Sequence, residues 1–176
     1  VPRDEVIVIG GQPRRAVVPA FGIAALAPSA GAGDDDHADG HHAQSHGVVT
    51  TDHTMANGRL VVSWDLDGRI TSIIDMHRGR QVLPTGEAIT LRLAADHPVA
   101  YDAWDVEQWT VAGGAALGPA DSVELVRSHP LMAELAVTYR FGRHGASQVT
   151  LTYRLTAGSA RLDIDVDLHW HEREQL

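Results

Sequence analysis

Arg59-Leu60-Val61-Val62-Ser63-Trp64-Asp65-Leu66-Asp67-Gly68-Arg69-Ile70-Thr71-Ser72-Ile73-Ile74-Asp75 is the stretch that decides the fold class. Two runs rich in β-branched and large apolar residues flank Asp67-Gly68, a pair that tolerates positive φ. Such a pair between two β-rich runs marks an antiparallel hairpin. Asn57-Gly58, just ahead of it, is a second turn signal. Downstream, His77 to Gly79 predicts a turn, and Arg80 to Leu83 a short strand ended by Pro84-Thr85-Gly86. Ile89-Thr90-Leu91-Arg92-Leu93 alternates and should bury Ile89, Leu91 and Leu93.

Beyond the breakers Gly113-Gly114 and Gly118-Pro119, three more strands are expected, at Ser122 to Arg127, Met132 to Phe141 and Gln148 to Leu155. Gly142-Arg143-His144-Gly145 links the second to the third. After Gly158-Ser159 comes a last run, Ala160 to Arg173. Leu162, Ile164, Val166, Leu168 and Trp170 line one of its faces, and Asp163, Asp165, Asp167, His169 and His171 the other. Strands recur with turn chemistry between them, no amphipathic helix stands out, and no repeat of fixed period is evident. The pattern predicts an all-β protein, an antiparallel sandwich.

Toward the N-terminus, Glu5-Val6-Ile7-Val8-Ile9 and the turn Gly10-Gly11 predict a strand. Ala16 to Leu26, broken by Pro19 and Gly22, predicts a bent edge strand. Residues 1–26 are expected to be the tail of a small preceding β-domain. Residues 27–54 are dominated by Pro, Ala, Gly, Ser, Asp and His, and predict a flexible linker or surface loop. Its histidines, His37, His41, His42, His46 and His53, are metal-ligating in kind, but such a segment offers no scaffold to fix a coordination sphere. Residues 55–176 form the main β unit.

Composition narrows the functions. A net charge of −9 argues against nucleic acid or an anionic membrane as partner. All 14 basic residues are Arg, and the absence of Cys excludes disulfides and thiolate metal sites. No apolar run reaches the roughly 18 residues that span a bilayer. Val6 to Ile9 is too short, and too acidic in its approach, for a signal peptide. The chain starts without Met and stops at Glu174-Gln175-Leu176, in the middle of a charged strand-like pattern, so a piece of a longer polypeptide is expected.

Chemistry concentrates in Val99-Ala100-Tyr101-Asp102-Ala103-Trp104-Asp105-Val106-Glu107-Gln108-Trp109. If extended, its faces would hold Val99, Tyr101, Ala103, Asp105 and Glu107 on one side and Ala100, Asp102, Trp104, Val106 and Gln108 on the other. Neither face is purely apolar, which is unusual for a core strand. Indole beside carboxylate suits a sugar, with the ring stacking on C–H groups and the carboxylates accepting hydroxyl hydrogen bonds. The competing reading is a buried Trp with Asp residues at turns. Asp102 and Asp105 could form a glycosidase pair, roughly 5 Å apart, only if the stretch bends. On the last strand, Asp163, Asp165 and Asp167 stand about 7 Å apart in successive pairs, too far for two to grip one hard cation. A solvated face that discourages edge pairing is the alternative. His169 and His171 are weak candidate metal ligands without a third partner. No Gly-x-Ser-x-Gly, phosphate loop or His-Glu-x-x-His occurs.

Four segments together resemble the C-terminal β region of the glycoside hydrolase family 38 α-mannosidases, of the bacterial and cytosolic type. They are Asn57-Gly58-Arg59-Leu60-Val61-Val62 through Asp75; Gly79-Arg80-Gln81-Val82-Leu83; Tyr101-Asp102-Ala103-Trp104-Asp105-Val106; and Ala157-Gly158-Ser159-Ala160-Arg161-Leu162-Asp163 through Trp170-His171-Glu172-Arg173. Their order and spacing match the family over residues 55–176. The His-rich loop and residues 112–120 depart from it, and Tyr101 stands where Trp is expected. Val17-Val18-Pro19-Ala20-Phe21-Gly22 resembles the strand closing the family's preceding small domain.

The resemblance implies a galactose-mutarotase-like β-sandwich, incomplete here, attached to a catalytic barrel. It implies retaining hydrolysis of terminal α-mannosides, in mannose metabolism, by a cytoplasmic enzyme. The nucleophile, proton donor and zinc ligands are implied to lie in the barrel, so no catalytic residue is expected in this chain. Asp102, Trp104 and Asp105 are the candidate substrate-binding residues. The expected partners are the barrel, the mannoside and, through exposed strand edges, other copies of the chain. A free-standing carbohydrate-binding sandwich and a structural or metal-binding module remain as alternatives.

Overall fold

The structure, a computed structural model, describes residues 3–18, 47–101 and 106–176. Within them run strands β1 (Arg3–Ile9), β2 (Gln12–Val18), β3 (Val49–Thr50), β4 (Thr54–Ala56), β5 (Leu60–Trp64), β6 (Ile70–Asp75), β7 (Arg80–Gln81) and β8 (Arg92–Leu93). A short helix, α1 (Gln108–Gly113), follows, then β9 (Ala115–Ala116), β10 (Ser122–His129), β11 (Met132–Phe141), a 3-10 turn (Arg143–Gly145), β12 (Ser147–Thr156) and β13 (Leu162–His169). Two sheets dominate, a five-stranded one in the order β3-β4-β5-β6-β7 and a four-stranded one in the order β10-β11-β12-β13. Every pairing among the described residues is antiparallel. The all-β expectation holds.

Period-two alternation explains the core. On β12, Ser147, Val149, Leu151, Tyr153 and Leu155 are buried while the residues between them are partly exposed. They pair across β11 with Phe141, Tyr139, Val137, Leu135 and Ala133, so one face of both strands is apolar. Met55, Val62, Trp64, Ile70 and Ile73 of the five-stranded sheet pack onto that face. Tyr153 lies within this core, and burial, with Tyr139 beside it, pushes its phenol up to about 12.

The β5–β6 connection differs in detail from a two-residue turn. Its strands end at Trp64 and begin again at Ile70. The Asp65 N–H donates to the Arg69 carbonyl (3.0 Å), and the Gly68 N–H to the Asp65 carbonyl (3.1 Å). Gly68 alone takes positive φ, +80°, and Asp67 does not. The loop is thus three residues long with its left-handed position at glycine, the next commonest hairpin solution. The Asp65 Oδ1 accepts the N–H groups of Asp67 (3.0 Å) and Arg69 (2.8 Å), which fixes the turn. A Cβ at Gly68 would lie 2.5 Å from Val137 Cγ1, because the turn tip is pressed onto the other sheet.

Asn57 joins the two sheets at the opposite end. It is 1% exposed. Its Oδ1 accepts the N–H groups of Arg59 (3.0 Å) and Leu60 (2.9 Å), closing the turn into β5. Its Nδ2 donates to the carbonyls of Thr156 (2.6 Å) and Ser159 (2.8 Å), where β12 turns toward β13. All four side-chain hydrogen-bonding positions that an amide offers here are used, which also fixes its orientation.

Several expectations change. Val99 to Trp109 is not a strand at its described ends, since Tyr101 takes φ +55° and Gln108 opens α1. No helix was expected there: six residues are too few to show helical periodicity. Ile89, Leu91 and Leu93 are only half-buried. Among the described residues, Ile89 meets the sheet through a single bridge to Ile70 and β8 pairs with β9 alone. Val48 is buried, and the five-stranded sheet takes in β3 from Val49. β13 ends at His169, short of Arg173. There the His171 N–H donates to Ser147 Oγ (3.0 Å), and that hydroxyl donates to the Glu172 carboxylate (2.6 Å). At the N-terminus, β1 and β2 form a hairpin through Gly10-Gly11, both at positive φ. The rest of the bent strand expected to Leu26 lies outside the described residues.

Replacing Asn57 by Ala takes the amide away from two part-buried carbonyls and two N–H groups, and should cost about 2–3 kcal/mol of stability, read from a urea melt. Asn57→Asp keeps the acceptor half and loses the donors. It should cost at least as much as Asn57→Ala, and a near-neutral Asp variant would mean that the link between sheets carries little.

Candidate functional site

The expected sugar-binding residues Asp102, Trp104 and Asp105 lie outside the described residues. What borders them is described. Tyr101 is 74% exposed and Trp109 61%, with Val99, Val106 and Val111 exposed around them. α1 carries Trp109 and buries Thr110. The Glu107 carbonyl accepts the N–H groups of Thr110 (2.9 Å) and Val111 (3.3 Å), starting the helix. At its other end Gly114 lies so close to β8 that an added Cβ would stand 3.2 Å from Ala94 Cβ, and Arg92 Nη2 donates to the Gly114 carbonyl. The aromatic flank is thus pinned behind and open in front. Two exposed aromatics beside the motif weigh against a core-filling role for that flank.

Two clefts among the described residues carry charged side chains. The larger, about 1220 Å³, lies between the β1–β2 hairpin and the Asn57 end of the sandwich, and Asp4, Arg15, Arg59, Arg154, Arg161 and Asp163 line part of it. Three of its arginines are paired: Arg15 holds Asp4, Arg161 holds Asp163 (2.6 Å), and Arg154 holds Asp165 (2.7 Å). The smaller, about 520 Å³, lies between β3 and β10 and includes His53, Trp64 and Asp65. Asp65 there is committed to backbone N–H groups.

Two carboxyls among the described residues are held below the ordinary carboxylate range. Glu134 is partly buried, which would raise its pKa. Hydrogen bonds from the Arg127 (2.8 Å) and Arg154 (2.7 Å) guanidiniums outweigh this and hold it below the ordinary value. Asp75 is also held low, by the N–H and then the guanidinium of Arg78. A general acid in glycoside hydrolysis needs the opposite shift.

His169 Nε2 stands 3.9 Å from Asp167 Oδ1, and the His171 backbone is bound to Ser147. No group of three or more His, Asp or Glu among the described residues could hold a metal ion. The residues described therefore do not fit the implied zinc. His37, His41, His42 and His46 lie outside the described residues, and His53 is exposed. Nor is any helix among the described residues long and apolar enough to cross a membrane.

The family model described as Glycosyl hydrolases family 38 C-terminal domain matches residues 55–176. The chain belongs to glycoside hydrolase family 38. No curated protein matches it. The family 38 match takes in β5 to β13 whole, with all of the four-stranded sheet and all of the five-stranded one but β3 and Thr54, and leaves the β1–β2 hairpin outside. Within the domain, motifs that carried the resemblance turn out to hold the fold together. Asn57 links the sheets, and Glu172 sits under the Gly142–Ser147 turn, where a Cβ at Gly142 (φ +76°) would meet its carboxylate. Trp170 packs its ring against Phe141, centroids 5.7 Å apart. Sequence reading missed these roles because both partners of each contact are distant along the chain.

The lowered Glu134 pKa has a consequence for acid stability. A depressed carboxyl contributes stability above its unfolded pKa and loses it as pH falls through the folded pKa. The Tm gap between the native chain and Glu134→Gln should therefore be full at about pH 6 and narrow toward about pH 3. A gap that stays constant would contradict the assignment.

Proposed function

We propose that this chain is the non-catalytic sandwich portion of a retaining α-mannosidase, one that removes terminal mannose in the cytoplasm. In this reading the sandwich is of the galactose-mutarotase-like kind and packs on a catalytic barrel that holds the nucleophile, the proton donor and the zinc. The zinc would grip mannose hydroxyls there, and no residue described here is assigned to it. The family 38 match over residues 55–176 is the observation that carries the reading. Support for a sugar-facing role comes from the exposed Tyr101 and Trp109, which bracket Asp102, Trp104 and Asp105. An indole and two carboxylates there would form part of the wall around the mannoside.

The test is Trp104→Ala in the enzyme that carries both the barrel and this region. A wall residue predicts a kcat/KM on an aryl α-mannoside lowered about tenfold, at unchanged Tm. An unchanged kcat/KM overturns the wall. So does a stability loss of about 3–5 kcal/mol, the mark of an emptied core.

A further inference from the structure

The amide that links the two sheets is followed directly by Gly58. A glycine after asparagine exposes the side chain to attack from its own backbone. With no Cβ in the way, the glycine nitrogen can swing onto the side-chain carbonyl carbon before it. The turn into β5 has little freedom to use another pair. Gly58 sits at φ +78°, where a side chain would be strained. Position 57 must accept from two N–H groups and donate to two carbonyls, and one short primary amide does both. The clamp between the sheets is therefore built on a labile bond.

The fold decides whether that bond reacts. Asn57 Oδ1 is held by the N–H groups of Arg59 (3.0 Å) and Leu60 (2.9 Å), and Nδ2 by the carbonyls of Thr156 (2.6 Å) and Ser159 (2.8 Å). Attack by the Gly58 nitrogen requires the amide to rotate and its carbon to become tetrahedral. Both changes break the four bonds together. Asn57 is buried, yet Gly58 is exposed, and the two line the large cleft beside the β1–β2 hairpin. Solvent thus stands next to the amide and reaches it once the clamp opens.

We infer that Asn57-Gly58 is a site of spontaneous deamidation, silent while the two sheets are clamped and reactive once they part, whose product cannot clamp them again. The Gly58 nitrogen gives its proton to hydroxide and bonds to Asn57 Cγ. The Cγ–Nδ2 bond breaks, and Nδ2 takes a proton from water and leaves as ammonia. The five-membered imide so formed then adds one water. Opening at Cγ gives an aspartate, and opening at the main-chain carbonyl gives an isoaspartate, whose backbone runs through Cγ. In sum, one water is consumed and one ammonia released. Either product lacks the donors that the Thr156 and Ser159 carbonyls require, and carries a negative charge in their place. An opening that outlasts ring closure is thereby made irreversible. The inference rests on the clamp alone and stands whatever the enzyme's substrate.

The 176-residue chain is aged in warm, mildly alkaline buffer, folded in one sample and unfolded by guanidinium chloride in another. The peptide containing Asn57 is followed by mass and by isoaspartyl methyltransferase labelling, and no other asparagine contributes. The folded chain should be modified at least about tenfold more slowly than the unfolded one. In denaturant, where folding plays no part, Gly58→Ala should slow the modification at least about tenfold. Chain returned from denaturant at once should regain the native Tm, and the modified fraction of aged chain should melt at least about 5 °C lower or stay unfolded. Should prompt refolding fail, Asn57→Asp made by expression stands in for the aged chain and should show the same loss. Equal rates in the folded and unfolded samples, an unchanged rate in Gly58→Ala, or a modified chain that melts with the native one would each overturn the inference.

Discussion

Four hydrogen bonds from one buried amide hold the two sheets of this protein in register. Asn57 is the only Asn in the chain. One half of its amide closes the turn into β5, and the other half holds the end of β12. Apolar packing between sheets is strong but not directional, and fixes no particular offset between them. A fully satisfied buried amide does fix an offset, because any slide strands several polar groups together. At the far end the Gly68 turn pressed against Val137 and Val123 supplies a steric stop. Between these two ends the side chains of β5, β6, β11 and β12 have one way to interlock.

From this clamp follows an uneven cover. The five-stranded sheet lies over the middle of the four-stranded one, where Leu135, Val137, Leu151 and Tyr153 are almost wholly buried. It does not reach β13, whose inner face is left half open. The outer face of the same sheet is wet and is tied by guanidinium–carboxylate pairs rather than by apolar contact. Exposed pairs of this kind contribute little stability singly, yet they define which charge belongs at each strand position.

Much of the fold was legible along the chain. Long alternating strands such as Met132–Phe141 show their period directly, and the glycines at the β1–β2 and β5–β6 turns announce reversals. What was illegible was short or nonlocal. α1 is too brief to display a helical period, and β3 is two residues at the edge of a low-complexity run. Exposure on β13 cannot be read from its own sequence, because Ile164 and Val166 look like core residues until the opposing sheet is placed. The candidate site was legible as a family motif at Tyr101 to Val106, with its exposed flanks invisible beforehand. The roles of Asn57 and Glu172 depend on partners 99 and 25 residues away in sequence, respectively.

The domain thus offers a rigid double sheet, an aromatic flank turned outward and no carboxyl raised toward proton donation among the shifted groups. Under the proposed function its place in a glycosidase is that of a wall and a support, and bond cleavage is done elsewhere in the polypeptide. The direct test is to assay the purified 176-residue chain, zinc added, on an aryl α-mannoside, beside the same chain joined to the proposed catalytic barrel. Turnover only in the joined protein is the predicted result. Turnover by the chain alone, at a rate above buffer, would contradict the account.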